Sequence, residues 1–112
     1  MAVTPGTYNF SLKRRADYSL MLQFKDGTVT PINLTGWVVD AEVWNKDRTV
    51  KYADFAVEYT DRSIGKVKLS LTEIQTTTFP DEAYYDVLLT NPSDLKEYYL
   101  GGAIYVSQGY TT

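Results

Sequence analysis

The stretch Trp37-Val38-Val39-Asp40-Ala41-Glu42-Val43-Trp44 decides the fold. Trp37, Val39, Ala41 and Val43 alternate with Val38, Asp40, Glu42 and Trp44. A two-residue period puts the first set on one face of a β-strand and the second on the other. One face is apolar and the other mixed, so this strand covers a core on one side only, as strands of antiparallel sheets do. Working outward, the same period returns upstream in Tyr8, Phe10 and Leu12, and again in Tyr18, Leu20, Leu22 and Phe24, with the polar break Arg14-Arg15-Ala16-Asp17 between them. Downstream, Phe55, Val57 and Tyr59 mark a short strand. Val67, Leu69 and Leu71 oppose Lys66, Lys68 and Ser70, and Ala83, Tyr85, Val87 and Leu89 alternate once more. A last strand, about Glu97 to Ser107, carries Leu100, Ile104 and Val106.

The residues between these runs are turn formers. Asp26-Gly27 ends the second strand, because glycine tolerates the positive φ of tight turns. Pro31 to Gly36 forms a structured connection in which Ile32 and Leu34 plug one end of the core. Asn45 to Val50 forms a hairpin loop, Asp61 to Gly65 turns the chain, and Asn91-Pro92-Ser93-Asp94 ends the strand before the last. Thr72 can cap a single helical turn begun by Glu73, Ile74 and Gln75. Branching at Cβ in Thr76, Thr77 and Thr78 keeps that turn short, and Phe79-Pro80 stops it. Gly101-Gly102, inside the last strand, predicts a bulge or a close backbone approach. Short strands with turns between them predict an all-β fold: an antiparallel immunoglobulin-like β-sandwich of about seven strands with one short helical turn. No internal repeat or linker divides it, so residues 1–112 form a single domain.

Composition narrows the chemistry. The chain has 112 residues, 44% hydrophobic and 22% charged, which suits one globular core. It contains neither Cys nor His, so thiolate ligands, disulfides, the commonest zinc ligand and the commonest general base are all missing. No cofactor and no metal site is expected. Asp40 and Glu42 share a strand face about 7 Å apart by strand rise, a spacing a two-carboxylate hydrolase could use, but acids at alternate positions are what any solvated strand face presents. No phosphate-loop, dinucleotide or nucleophile-elbow motif occurs, and no EF-hand run of acids, which leaves only a loop cation site at Asp61, or at Asp81 with Glu82, open. The triplets Asn9-Phe10-Ser11 and Asn33-Leu34-Thr35 match the glycosylation pattern by coincidence. The first ten residues have no basic, apolar leader character, and no apolar run approaches the roughly 20 residues of a membrane span. Neither secretion by the general route nor membrane insertion is expected.

Net charge is −3, with ten of the eleven basic residues before position 69. This asymmetry reads as a mixed solvated surface, with head-to-tail contact between copies as the alternative. The one basic cluster, Lys13-Arg14-Arg15, is too short for nucleic-acid binding in an acidic chain. Ten Tyr, four Phe and two Trp exceed what so small a core can enclose, so some rings reach the surface. Trp44, Tyr84, Tyr99 and Tyr105 are the expected interface residues, suited to protein partners or to the apolar faces of a surface glycan. The segment Tyr98 to Gln108 carries no charge, which is hazardous at an open sheet edge. It is therefore either central or covered by another subunit.

Four segments in order, Ile32-Asn33-Leu34-Thr35-Gly36, Gly65-Lys66-Val67-Lys68-Leu69-Ser70-Leu71-Thr72, Tyr85-Asp86-Val87-Leu88-Leu89 and Leu100-Gly101-Gly102, span nearly the whole chain. In order and spacing this series resembles small β-sandwich virion proteins of tailed bacteriophages, in particular the N-terminal domains of upper baseplate and tail-fibre-attachment proteins. The chain departs from that pattern at Asn33, where an acid is commoner, and at Ala83, where an aromatic is commoner. It also lacks a coiled-coil extension after the sandwich. The resemblance therefore implies a tail, baseplate or adaptor subunit, or a capsid decoration protein. Such a subunit is made in the host cytoplasm, placed in the virion, and held as a homo-oligomer or against other virion proteins. It implies no catalytic residue. The rival reading from the residues alone is a carbohydrate-binding or host-adhesion module.

Overall fold

The computed structural model describes residues 6–26 and 30–109. Along these residues run eleven strands: β1 (Gly6–Thr7), β2 (Phe10–Lys13), β3 (Tyr18–Gln23), β4 (Lys25–Asp26), β5 (Thr30–Pro31), β6 (Val38–Trp44), β7 (Lys51–Asp54), β8 (Ala56–Asp61), β9 (Lys66–Leu71), β10 (Glu82–Thr90) and β11 (Lys96–Ser107). A 3₁₀ turn covers Arg62–Ile64 and a single helix, α1, covers Glu73–Thr77. The larger sheet has the order β7-β6-β10-β11, with β1 and β2 both on the far side of β11; the smaller has the order β3-β9-β8, and β4 pairs with β5. The architecture is all-β. Eleven strands form where about seven were expected, with Gly6–Thr7, Lys25–Asp26, Thr30–Pro31 and Lys51–Asp54 beyond the runs that alternation marked. The turn expected at Asp26-Gly27 lies partly outside the described residues.

The core fills the space between the sheets. From the larger sheet it takes Val39, Ala41, Val43, Ala83, Tyr85, Val87 and Leu89, and from the smaller Val67, Leu69 and Leu71, all nearly or fully buried. Burying one such aliphatic side chain stabilises the fold by roughly 1.5–3 kcal/mol. Phe10 stacks on Tyr18 at 4.7 Å and leans on Tyr85 at 5.1 Å, tying β2, β3 and β10 together. The buried Tyr85 hydroxyl donates to the Tyr8 carbonyl at 2.6 Å, and that burial holds its phenol above the ordinary tyrosine pKa. Tyr59, from the smaller sheet, accepts from the Val39 amide at 2.9 Å and so bridges the layers. Phe55 marks the crossing: its amide donates to Ala41 in the larger sheet, and the chain then enters β8 of the smaller.

The first predicted strand is corrected. It is two pieces, and both run parallel to β11, so the larger sheet is not wholly antiparallel. The cause is a step at Tyr8-Asn9. The Tyr8 amide donates to Gly101 at 2.9 Å, after which the backbone leaves the ladder and the Asn9 side-chain oxygen accepts from the Ala103 amide at 2.8 Å in its place. The step requires glycine on the facing strand. A Cβ on Gly102 would lie 2.3 Å from the Tyr8 carbonyl oxygen and 2.7 Å from Asn9 Oδ1. Of the two alternatives at Gly101-Gly102, the close approach holds.

The bulge lies elsewhere. Val87 pairs with Leu100 but Leu88 pairs with Tyr98, leaving Tyr99 as the extra residue. One extra residue reverses the alternation before it, so Tyr98 faces outward and Tyr99 inward. Leu100, Gly101, Ile104 and Tyr105 have β10 on one side and β1 or β2 on the other, and between these pairs the Asn9 side chain takes the Ala103 amide. The uncharged segment is thus largely central, covered by the chain's own N-terminal strands.

The helical turn forms as its residues predict. Thr72 Oγ1 accepts from the Gln75 amide at 3.2 Å while Gln75 Oε1 accepts from the Thr72 amide at 2.8 Å, a complete capping box. The threonine run also has a second use: Thr76 is fully buried, and its hydroxyl donates to the Ala16 carbonyl at 2.9 Å and accepts from the Ala16 amide at 3.3 Å. Valine there keeps the shape and leaves both backbone groups unpaired. Thr76→Val is therefore expected to lower the unfolding free energy by about 1–3 kcal/mol in urea denaturation.

Candidate interaction face

The two sheets present different outer surfaces. On the smaller sheet the outward residues include Ser19, Gln23, Lys66, Lys68 and Ser70, with Met21 as an isolated exposed apolar side chain. This is a wet face. On the larger sheet, register places aromatic residues side by side: Trp44, Tyr84 and Ala103 form one row across β6, β10 and β11. Tyr105, 47% exposed, stands two positions on from Ala103, and Tyr98, 50% exposed, shares a row with Leu88 and Asp40. Trp44 and Tyr84 are half-buried.

The hairpin after β6 shapes the rim of this face. Asn45 Oδ1 accepts from the amides of Thr49 and Val50 at 2.8 and 3.1 Å, closing the loop on itself. Arg48 takes a left-handed conformation, φ 56°, and its guanidinium lies 4.7 Å from the centre of the Trp44 ring. A cation over an indole face contributes roughly 0.5–1 kcal/mol at an exposed site. Between Trp44, Asn45, Lys46, Arg48, Tyr84 and Asp86 lies a depression of about 150 Å³.

Acidic residues form the next row, where Glu42 pairs with Asp86 on one side and Asp54 on the other. Like charges directly opposite destabilise a sheet, and Lys51 offsets this by bridging Glu42 at 3.2 Å and Asp54 at 2.7 Å. Glu42 also accepts from the Trp44 indole N–H at 2.9 Å. Glu42 is therefore occupied in holding Trp44 and Lys51, while Asp40 is exposed one row away. Asp86 is held above the ordinary aspartate pKa by desolvation, opposed by Arg48 and reinforced by Glu42.

A raised carboxyl pKa means that the folded chain binds this proton more tightly than the unfolded one. The Asp86 contribution to stability then falls as pH rises from the ordinary aspartate value through the folded one. Asp86→Asn is expected to remove that slope from thermal melts taken across mildly acidic pH. Arg48→Gln is expected to raise the Asp86 pKa further, as read from its carboxyl carbon shift during titration.

Three of the four expected interface residues, Trp44, Tyr84 and Tyr105, share this face. Tyr99 does not. It packs edge-on against Phe24 at 4.6 Å, and its hydroxyl accepts from the Lys25 amide at 3.2 Å, because the bulge turns it inward. Tyr98 takes the outward place, and no single residue in the sequence signals the exchange. Arg48 carries no sequence signal either, since its position over Trp44 depends on the hairpin's conformation.

The remaining candidates have local roles. Asp61 accepts from the Ser63 amide and hydroxyl at 3.2 and 2.6 Å, capping the 3₁₀ turn, and Asp81 pairs with Arg14 at 3.0 Å. Among the described residues no three side chains of metal-ligating type come together. In the basic cluster, Arg14 also holds Phe79 O and the Gln108 side chain, and Arg15 holds Gln108 O. The side-chain oxygens of Asn9 and Asn33, from the two glycosylation triplets, both accept from backbone amides, Asn33 from Thr35 at 3.0 Å. Compared with protein-family models and with curated proteins, the chain matches none.

Proposed function

We propose that this domain is a non-enzymatic structural subunit that joins neighbours through the outer face of its larger sheet. The observation carrying this reading is the contrast between the two outer surfaces: Lys, Ser and Gln on the smaller sheet, and Trp44, Tyr84, Tyr98 and Tyr105 on the larger. Aromatic residues are enriched at protein interfaces, because one rigid ring supplies a large apolar area at a small entropy cost. Assignment to a phage virion, as a tail, baseplate, adaptor or capsid-surface subunit, rests on the ordered segments that resemble such domains. Two sheets around one core, joined by short turns, support an immunoglobulin-like reading of the sandwich. Sedimentation across protein concentration tests the function. Self-association that Tyr84→Ser with Tyr105→Ser abolishes, with the melting profile retained, is the expected result; a wild-type monomer at every concentration tells against joining between copies.

One observation favours a second reading. The depression beside Trp44 sets an aromatic ring next to Asp86, Asn45 and Lys46, the mixture of apolar platform and hydrogen-bonding groups that a sugar ring uses. A glycan array distinguishes the two. Saturable binding lost in Trp44→Ala supports the carbohydrate module.

A further inference from the structure

A second pocket lies at the other end of β6, apart from the interaction face. It encloses about 250 Å³ between Trp37, Leu89, Pro92 and Leu95, with Asn91, Ser93 and Glu97 completing the wall. Its loop is fixed before anything binds. Asn91 Oδ1 accepts from the Ser93 and Leu95 amides at 2.9 and 3.0 Å, and the Asn91 amide donates to the Leu95 carbonyl at 2.9 Å. Pro92 packs against Gly36 so closely that a Cβ there would lie 3.2 Å from its ring. Trp37 is held from behind, its carbonyl accepting from Arg62 at 2.9 Å.

The unusual member is Glu97. It pairs with Leu89, which places it in an inward register of β11, and its Oε2 is buried with no hydrogen-bond partner among the described residues. A buried carboxylate oxygen left unpaired is costly, and such groups call for a missing counterpart. The cations nearby in sequence or fold are committed elsewhere. Lys96 donates to Thr90 Oγ1 at 3.3 Å, and Arg62 donates to Leu34 O and Trp37 O with its guanidinium 3.6 Å from the Tyr59 ring centre. A divalent metal would need several free oxygen ligands, and with Asn91 Oδ1 already accepting from two amides the wall offers only one carboxylate and one hydroxyl. An anion would be repelled. What fits a carboxylate beside an indole, walled by Leu and Pro, is a positive charge with apolar substituents.

We infer that this pocket binds an organic ammonium cation, paired with the Glu97 carboxylate and seated against the Trp37 ring. The exposed Leu95, at 64%, forms the lip over which the apolar part of the ligand lies. The cation has two sources, a free quaternary ammonium compound or the lysine side chain of a neighbouring protein, and one titration separates them.

Two-dimensional ¹H–¹⁵N spectra of the full chain resolve its two indole N–H groups, one reporting on this pocket and the other on the interaction face. The probes are tetramethylammonium chloride, n-butylammonium chloride and neutral 1-butanol, at ionic strength held constant with sodium chloride. The Trp37 signal is expected to shift saturably with a cation while the Trp44 signal stays in place. Butanol is expected to bind about ten-fold more weakly, and Glu97→Gln to weaken the cation by about ten-fold while leaving butanol unaffected. Tighter binding of tetramethylammonium identifies a free quaternary ligand, and tighter binding of butylammonium identifies a lysine side chain. Two results overturn the inference: no saturable shift with either cation at the highest soluble concentration, or equal cation affinity in wild type and Glu97→Gln. Neither bears on the interaction face, whose reporter is the other indole.

Discussion

Gly102→Ala is expected to lower the unfolding free energy by about 2–3 kcal/mol in urea denaturation, the range of forced overpacking. The new methyl group would meet two polar atoms, the Tyr8 carbonyl oxygen and Asn9 Oδ1, both held in place by other bonds. Tyr8 O accepts from the buried Tyr85 hydroxyl, so it cannot retreat without stranding that donor. The cheapest escape is for β1 and the Tyr8-Asn9 step to leave the sheet. That escape has a second consequence, because it uncovers one side of β11 over an uncharged stretch. An exposed, uncharged edge pairs readily with another chain. The variant should therefore aggregate faster than its loss of stability alone predicts, and the Tyr8 and Ala103 amides should lose their protection from hydrogen exchange.

Arg62→Ala is expected to cost about 2–3 kcal/mol, the worth of charge-assisted hydrogen bonds removed from a half-buried site. Its guanidinium donates to Leu34 O at 3.0 Å and to Trp37 O at 2.9 Å while lying over Tyr59. The Arg62 carbonyl in turn accepts from the Leu34 amide at 2.7 Å. One residue thus fixes the connection that carries Ile32 and Leu34 into the end of the core and sets the entry angle of β6. Arg62→Lys should restore only part of the loss, because an ammonium lacks the planar fork that reaches two carbonyls and stacks on a ring. Thermal unfolding of the three proteins checks the order: wild type, then lysine, then alanine.

Much of this fold is legible in the sequence because core strands must alternate. Trp37 to Trp44, Lys66 to Leu71 and Ala83 to Leu89 each carry one apolar set, and each set is buried except for Trp37, which is partly exposed. The capping box at Thr72 is equally local, since all its atoms come from four successive residues. What escapes is decided by backbone pairing between distant segments. Gly6–Thr7, Lys25–Asp26 and Thr30–Pro31 are two-residue strands, too short for any period to declare itself. Lys51–Asp54 has only Ala53 buried and shows no alternating apolar set. The inward turn of Tyr99 follows from one extra residue in β11, set by pairing with β10 and not by the glycines two and three positions on.

The interaction face was half legible for the same reason. Trp44 and Tyr84 could be assigned outward from alternation alone. Their meeting in one row with Ala103 needed the register of three strands, and the Arg48 contact needed the hairpin. The pocket at Trp37 was invisible in the sequence, because its walls join residue 37 to a loop more than fifty positions away.

Covalent labelling of tyrosine and tryptophan rings, read by mass spectrometry in dilute and concentrated solutions, tests the function most directly. If the larger sheet's outer face is where this molecule meets its neighbours, then Trp44, Tyr84, Tyr98 and Tyr105 should lose reactivity together as the protein associates. Tyr52, on the strand next to β6 but packed on the core beside Phe79, should keep its own. Association that leaves those four rings as reactive as in the monomer, or that protects Met21 and its neighbours on the smaller sheet instead, would contradict the account.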